Sequence, residues 1–120
     1  MIHWVYPYGE RKAAPWSIGN HVAAALRAAG YEVKQYDWEE DGAITPLPGD
    51  ILLGHPHPSQ TKIFNRSLHG ELWARRIAIC PWNGSEEYTQ QLEAVVAECD
   101  HVFPICGPYW ARKLPAHWRG

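Results

Sequence analysis

The residues most able to do chemistry sit at two tight turns and one loop. The first turn is "GDILLGHPHPSQ", Gly49 to Gln60, where an apolar run enters through Asp50, stops at Gly54, and gives way to two histidines alternating with two prolines. His55 and His57 lie at i and i+2, which on extended backbone puts both imidazoles on one side. That spacing is open to three readings: two ligands of a metal clip, a turn stiffened by Pro56 and Pro58, or one wall of a substrate crevice where imidazole exchanges protons or hydrogen bonds with an oxygen. A metal site needs a third or fourth ligand, and the chain holds neither CxxC nor HExxH, so no metal is expected. The loop is "PYGERKAAPW", in which Gly9 lets a ligand approach the backbone and Glu10 is the sole carboxylate. The second turn, "CPWNGSEE", sets the Asn83 amide before a helix start, either as ordinary turn chemistry or as a ligand contact. No GxGxxG or P-loop motif is present, and no Ser-His-Asp or Cys-His order supports covalent catalysis, so no catalytic residue is assigned.

These candidates need elements to hold them in place. "IHWVY" reads as a strand closed by Pro7; "SIGNHVAAALRAAG" as a helix capped by Ser17 and stopped at Gly30; and "YEVKQYD" as a second strand. "DILLG" is a third strand. Phe64, Leu68 and Leu72 mark a helix between Gln60 and Ala74, and "RIAIC" is a fourth strand. Ser85, with Glu86 and Glu87 in the first turn, opens a helix whose apolar face is Tyr88, Leu92, Val95, Val96 and Cys99. "HVFPIC" is a fifth strand, its Pro104 suited to a sheet edge, and Tyr109 to Leu114 begins a further helix. Alternation of this kind predicts a Rossmann-like, doubly wound parallel sheet of about five strands with helices on both faces. Right-handed crossovers allow the third strand to lie on the opposite side of the first from the second, and ligands bind beyond the carboxyl ends at that reversal. His55, Gly9 and Asn83 are thereby expected on one edge of the sheet.

Composition narrows the class. The 120 residues fit one domain, 1–120, and a formal charge of −2 argues against a dedicated nucleic-acid binder. Three cysteines without CxxC spacing and no signal-peptide pattern point to a reduced, cytoplasmic setting, and no apolar run is long enough for a membrane span. Peripheral contact with a membrane surface is compatible with this composition. Seven tryptophans are expected mostly as core or crevice walls.

The order of these segments resembles the N-terminal domain of GT-B glycosyltransferases, in particular the retaining family 4 (group 1) enzymes. Gly30-Tyr31-Glu32-Val33 matches that family's step into strand two. Asp50 to His55 matches its Asp-initiated strand ending in histidine, and Cys99-Asp100-His101-Val102, followed by Tyr109-Trp110, matches its "Ala-Asp-x-Val" strand and helix. Ala13 and Ala14 stand near its paired glycines, and Pro81, Trp82 and Asn83 stand where it often carries a histidine. The resemblance implies transfer from a nucleotide-sugar co-substrate to an acceptor hydroxyl with no metal or other cofactor. Gly9 and Glu10 would border the donor, and His55, His57 and Asn83 would face the acceptor. It also implies a second, donor-binding domain beyond Gly120, so the chain is expected to be a fragment, inactive alone. The alternatives are a stand-alone, non-catalytic nucleotide- or protein-binding module, and a small nucleoside N-glycosidase or deoxyribosyltransferase, for which only Glu10 is roughly placed.

Overall fold

The computed structural model describes residues 1–7, 14–81 and 86–105. Its elements run β1 (Ile2–Val5), α1 (Ala14–Ala28), β2 (Val33–Tyr36), β3 (Ile51–Gly54), α2 (Ile63–Ser67), β4 (Arg75–Pro81), α3 (Glu86–Val96) and β5 (His101–Ile105). The five strands form one sheet in the order β2-β1-β3-β4-β5, every pair parallel. The doubly wound reading therefore holds, with the reversal of strand order between β1 and β3. Among the described residues strand β5 lies at the sheet's edge, so Pro104 costs the ladder little there.

Strand periodicity divides the core in two. Trp4 and Leu53 turn to one face and pack with Ile18, Val22 and Ala23 of α1, and the Trp4 indole donates to the Gly19 carbonyl at 2.8 Å. Val5, Leu52 and Ala78 turn to the other, against Phe64 of α2, Leu68 just beyond it, and Leu92, Val95 and Val96 of α3. Helices thus cover both faces. Cys99 packs beside the α3 core, and burial, with Asp100 and Glu98 nearby, pushes its thiol up to about 12, as suits a packing residue.

Two helix boundaries differ from the sequence reading. Among the described residues helix α1 is already formed at Ala14, ahead of the expected Ser17 cap, and the Ser17 hydroxyl instead pairs with His21 Nδ1 one turn on, at 3.2 Å. Its C-terminus follows expectation: Gly30 adopts φ 98°, and the Gly30 and Tyr31 amides return to the Arg27 and Leu26 carbonyls. Helix α2 spans only five residues instead of reaching Ala74. The carbonyls that would extend it are taken by side chains: Trp73 Nε1 donates to Ser67 O at 2.7 Å, and the Arg76 guanidinium donates to the carbonyls of Leu68 at 2.9 Å and Gly70 at 2.5 Å. Leu72, expected on the buried face, is 50% exposed.

At Gly54 the strands leave no room for a side chain. An added Cβ would meet the carbonyl and Cβ of Val5 across the β1–β3 ladder. Gly54→Ala is expected to lower stability by about 2 kcal/mol through overpacking against backbone. Urea unfolding should read this as an earlier midpoint at unchanged slope.

Candidate functional site

In a sheet of this order the ligand crevice lies beyond the carboxyl ends of β1 and β3. His55 is the first residue past β3. Its amide extends the ladder to the Val5 carbonyl at 2.8 Å, which fixes the ring at that edge. The side chain is buried, 6% exposed, and Nδ1–H donates to the Pro56 carbonyl at 2.6 Å. Burial, helped by neighbouring His57 and only partly offset by the Pro56 carbonyl, drops its pKa from 6.5 to about 4. At neutral pH His55 is therefore an uncharged hydrogen-bonding group.

His57 is held differently. Asn65, itself 2% exposed, clamps its backbone: Oδ1 accepts from the His57 amide at 3.1 Å, and Nδ2 donates to the carbonyls of His57 and Ser59. The ring is fixed at both nitrogens. The Ser59 amide donates to Nδ1 at 2.9 Å, so Nε2–H donates to Glu39 at 3.2 Å. Glu39 is tied in turn to Lys62, which also pairs with Asp41 at 3.2 Å. His57 thus belongs to a rigid, cross-braced turn. Among the described residues no group of three or more His, Cys, Asp or Glu could hold a metal.

Trp38 joins the two histidines, its ring 4.8 Å from His55 and 4.5 Å from His57, while Tyr6, just past β1, approaches His55 at 5.8 Å. Trp38, Tyr6, Glu39 and Asn65 escaped the sequence reading as site residues. An indole inside the acidic run Tyr36–Asp41 was the available signal for Trp38. Of the predicted residues, His55 and His57 are brought together around Trp38; Gly9, Glu10 and Asn83 lie outside the described residues. The strands that precede them, β1 and β4, are parallel to β3 and end on the same edge as Gly54.

A second feature was not foreseen. The connection from β2 to β3 crosses the sheet without a helix, and on that face a cavity of about 620 Å³ opens, lined by His3, Glu32, Lys34, Tyr36, Ile44, Asp50 and neighbours. It shares no lining residue with His55, His57, Trp38 or the groups that brace them. Along its wall runs a chain of hydrogen bonds, buried at its His3–Asp50 link. Asp50 Oδ2 accepts from His3 Nε2 at 2.8 Å and from the Leu47 amide at 3.1 Å, Oδ1 accepts from the Met1 ammonium at 3.1 Å, and His3 Nδ1 meets the Tyr36 hydroxyl at 2.7 Å. Burial alone would raise the Asp50 pKa, but the bonds from His3, Leu47 and the ammonium prevail and hold it at about 2. Burial, with Asp50 and Glu40 nearby, lifts Tyr36 to about 12, so its phenol stays protonated.

Comparison with protein-family models, with curated proteins and with solved structures finds no match for this chain. Among the described residues no helix is long and apolar enough to cross a membrane.

Proposed function

We propose that this domain supplies the acceptor side of a sugar-transfer site, in a glycosyltransferase of the two-domain GT-B kind. The observation that carries this reading is the buried, uncharged His55 at the carboxyl end of β3, beside the reversal of strand order. That is where the resemblance expects a histidine. An uncharged imidazole suits a hydroxyl partner better than a phosphate, which would draw a cation. The rings of Trp38 and Tyr6 beside it offer apolar walls with a few polar groups, the composition of small-molecule sites. In the reaction the acceptor oxygen bonds to the anomeric carbon, the bond from that carbon to the nucleotide diphosphate breaks, and the acceptor proton is released. Closing two domains around the donor excludes water and aligns these atoms, so this domain alone should not turn over.

The test uses the purified 120-residue chain. Saccharide acceptors are expected to shift the ring resonances of His55, Trp38 and Tyr6, an effect lost in His55→Ala, while nucleotide-sugars are not consumed and free nucleotides bind weakly. No response to any saccharide, or tight nucleotide binding at the crevice without sugar, would favour a nucleotide-binding module instead. Multiple-turnover transfer by the chain alone, abolished by His55→Ala, would show a complete enzyme.

A further inference from the structure

The cavity on the sheet face owes its existence to the helix-less crossover. In a doubly wound sheet the connection from β2 to β3 normally lays a helix across this face. Here residues 37–50 run past it instead, with Trp38 and Ile44 packing on the core beneath. What remains open is a stretch of sheet where Glu32, just ahead of β2, and Lys34 and Tyr36 of β2 alternate onto one side, next to His3 of β1. Its size lies within the range of small-ligand sites.

The charges around the cavity sort into answered and unanswered. Asp50 is answered by His3 and by the Met1 ammonium. Lys34 and Glu32, one of each sign, have no ion-pair partner among the described residues. Lys34 is nonetheless positioned, its ammonium 5.3 Å from the centre of the Tyr36 ring. The two side chains start about 6.6 Å apart along the strand, so their tips can bracket two opposite charges on one small molecule. Ile44, Leu47, Pro48 and Ile63 add an apolar wall. A ligand complementary to this set carries a cation and an anion close together and an apolar body.

We propose that the cavity binds a free α-amino acid with an apolar side chain, its carboxylate on Lys34, its ammonium on Glu32 and its side chain against Ile44, Leu47 and Ile63. The ammonium nitrogen and carboxylate carbon of an amino acid lie about 2.5 Å apart, short enough for both contacts. This site is separate from the histidine turn and does not rest on the sugar-transfer reading.

The probes are L-leucine, its decarboxylated amine (3-methylbutylamine) and its deaminated acid (4-methylpentanoate), titrated against the isotope-labelled chain by amide NMR. Leucine is expected to give saturable shifts at Lys34, Tyr36, Ile44 and Ile63, and each half-ligand to bind about tenfold more weakly or worse. Both charged residues are exposed, so Lys34→Met and Glu32→Gln should fold as the parent does. Lys34→Met should weaken leucine and the acid but leave the amine unchanged; Glu32→Gln should weaken leucine and the amine but leave the acid unchanged. The proposal is overturned if leucine binds no tighter than either half-ligand, if neither substitution changes its affinity, if the shifts gather elsewhere, or if no saturable shift occurs.

Discussion

Replacing Asp50 by alanine should cost the fold about 3 kcal/mol, the upper end of the penalty for leaving buried hydrogen-bond donors without a charged acceptor. The carboxylate is 6% exposed and joins three parts of the chain: His3 in β1, the Leu47 amide in the crossover, and the Met1 ammonium. Its removal leaves the His3 ring and the Leu47 amide facing a site with no acceptor, and water must enter or the crossover must move. For a domain of this size the melting temperature should fall on the order of 15 °C. Asp50→Asn keeps one oxygen acceptor for the Leu47 amide and should cost less. A loss below about 1 kcal/mol in Asp50→Ala would show that the chain of bonds is decorative. The depressed pKa adds a pH signature. Because the folded value is about 2, against an ordinary 3.8, this stabilisation is fully present above about pH 3.8 and is lost as pH falls through 2.

Acidification in a higher window should act through His55. In the unfolded chain this imidazole protonates near 6.5, whereas in the fold it resists until about pH 4. Between those values the unfolded state binds more protons, so stability falls as pH falls, and below pH 4 this group costs nothing further. The gap corresponds to about 3 kcal/mol. Among the described residues, Tyr6 and Trp38 pack against the ring with His57 nearby, and burial outweighs the bond to the Pro56 carbonyl, the contact that favours imidazolium. Denaturant unfolding of the parent and of His55→Gln across this window should give converging curves: the variant weaker at neutral pH, the difference shrinking towards pH 4. Parallel profiles would mean that His55 charges in place, and the uncharged hydrogen-bonding role proposed for it would go with them.

Much of this architecture was written in local patterns. Strand runs separated by helical spacing, with Gly30 as a stop, determined the parallel doubly wound sheet, and the handedness of crossovers allowed β3 to lie across β1 from β2, an order the structure adopts. Those signals are short-range, and backbone sterics enforce them wherever the chain goes. Pro104 on an edge strand follows in the same way, from one missing donor. His55 was legible because a histidine directly after an apolar run ending in glycine must stand at a strand's carboxyl end.

Tertiary contacts decided the rest. Helix α2 stops after five residues because Trp73 and Arg76, from beyond its end, take the carbonyls that another turn would have used. Trp38 meets both histidines because β2 and β3 flank β1, a relation no spacing between residues 38, 55 and 57 encodes. The chain from Tyr36 through His3 to Asp50 is assembled from three strands or their approaches, and it becomes visible only when the sheet brings them side by side. The open face above it has a similar origin. Sequence shows that residues 37–50 lack a helical period, but only the fold shows which part of the sheet that omission leaves uncovered, because a sheet face is made by neighbours distant in the chain.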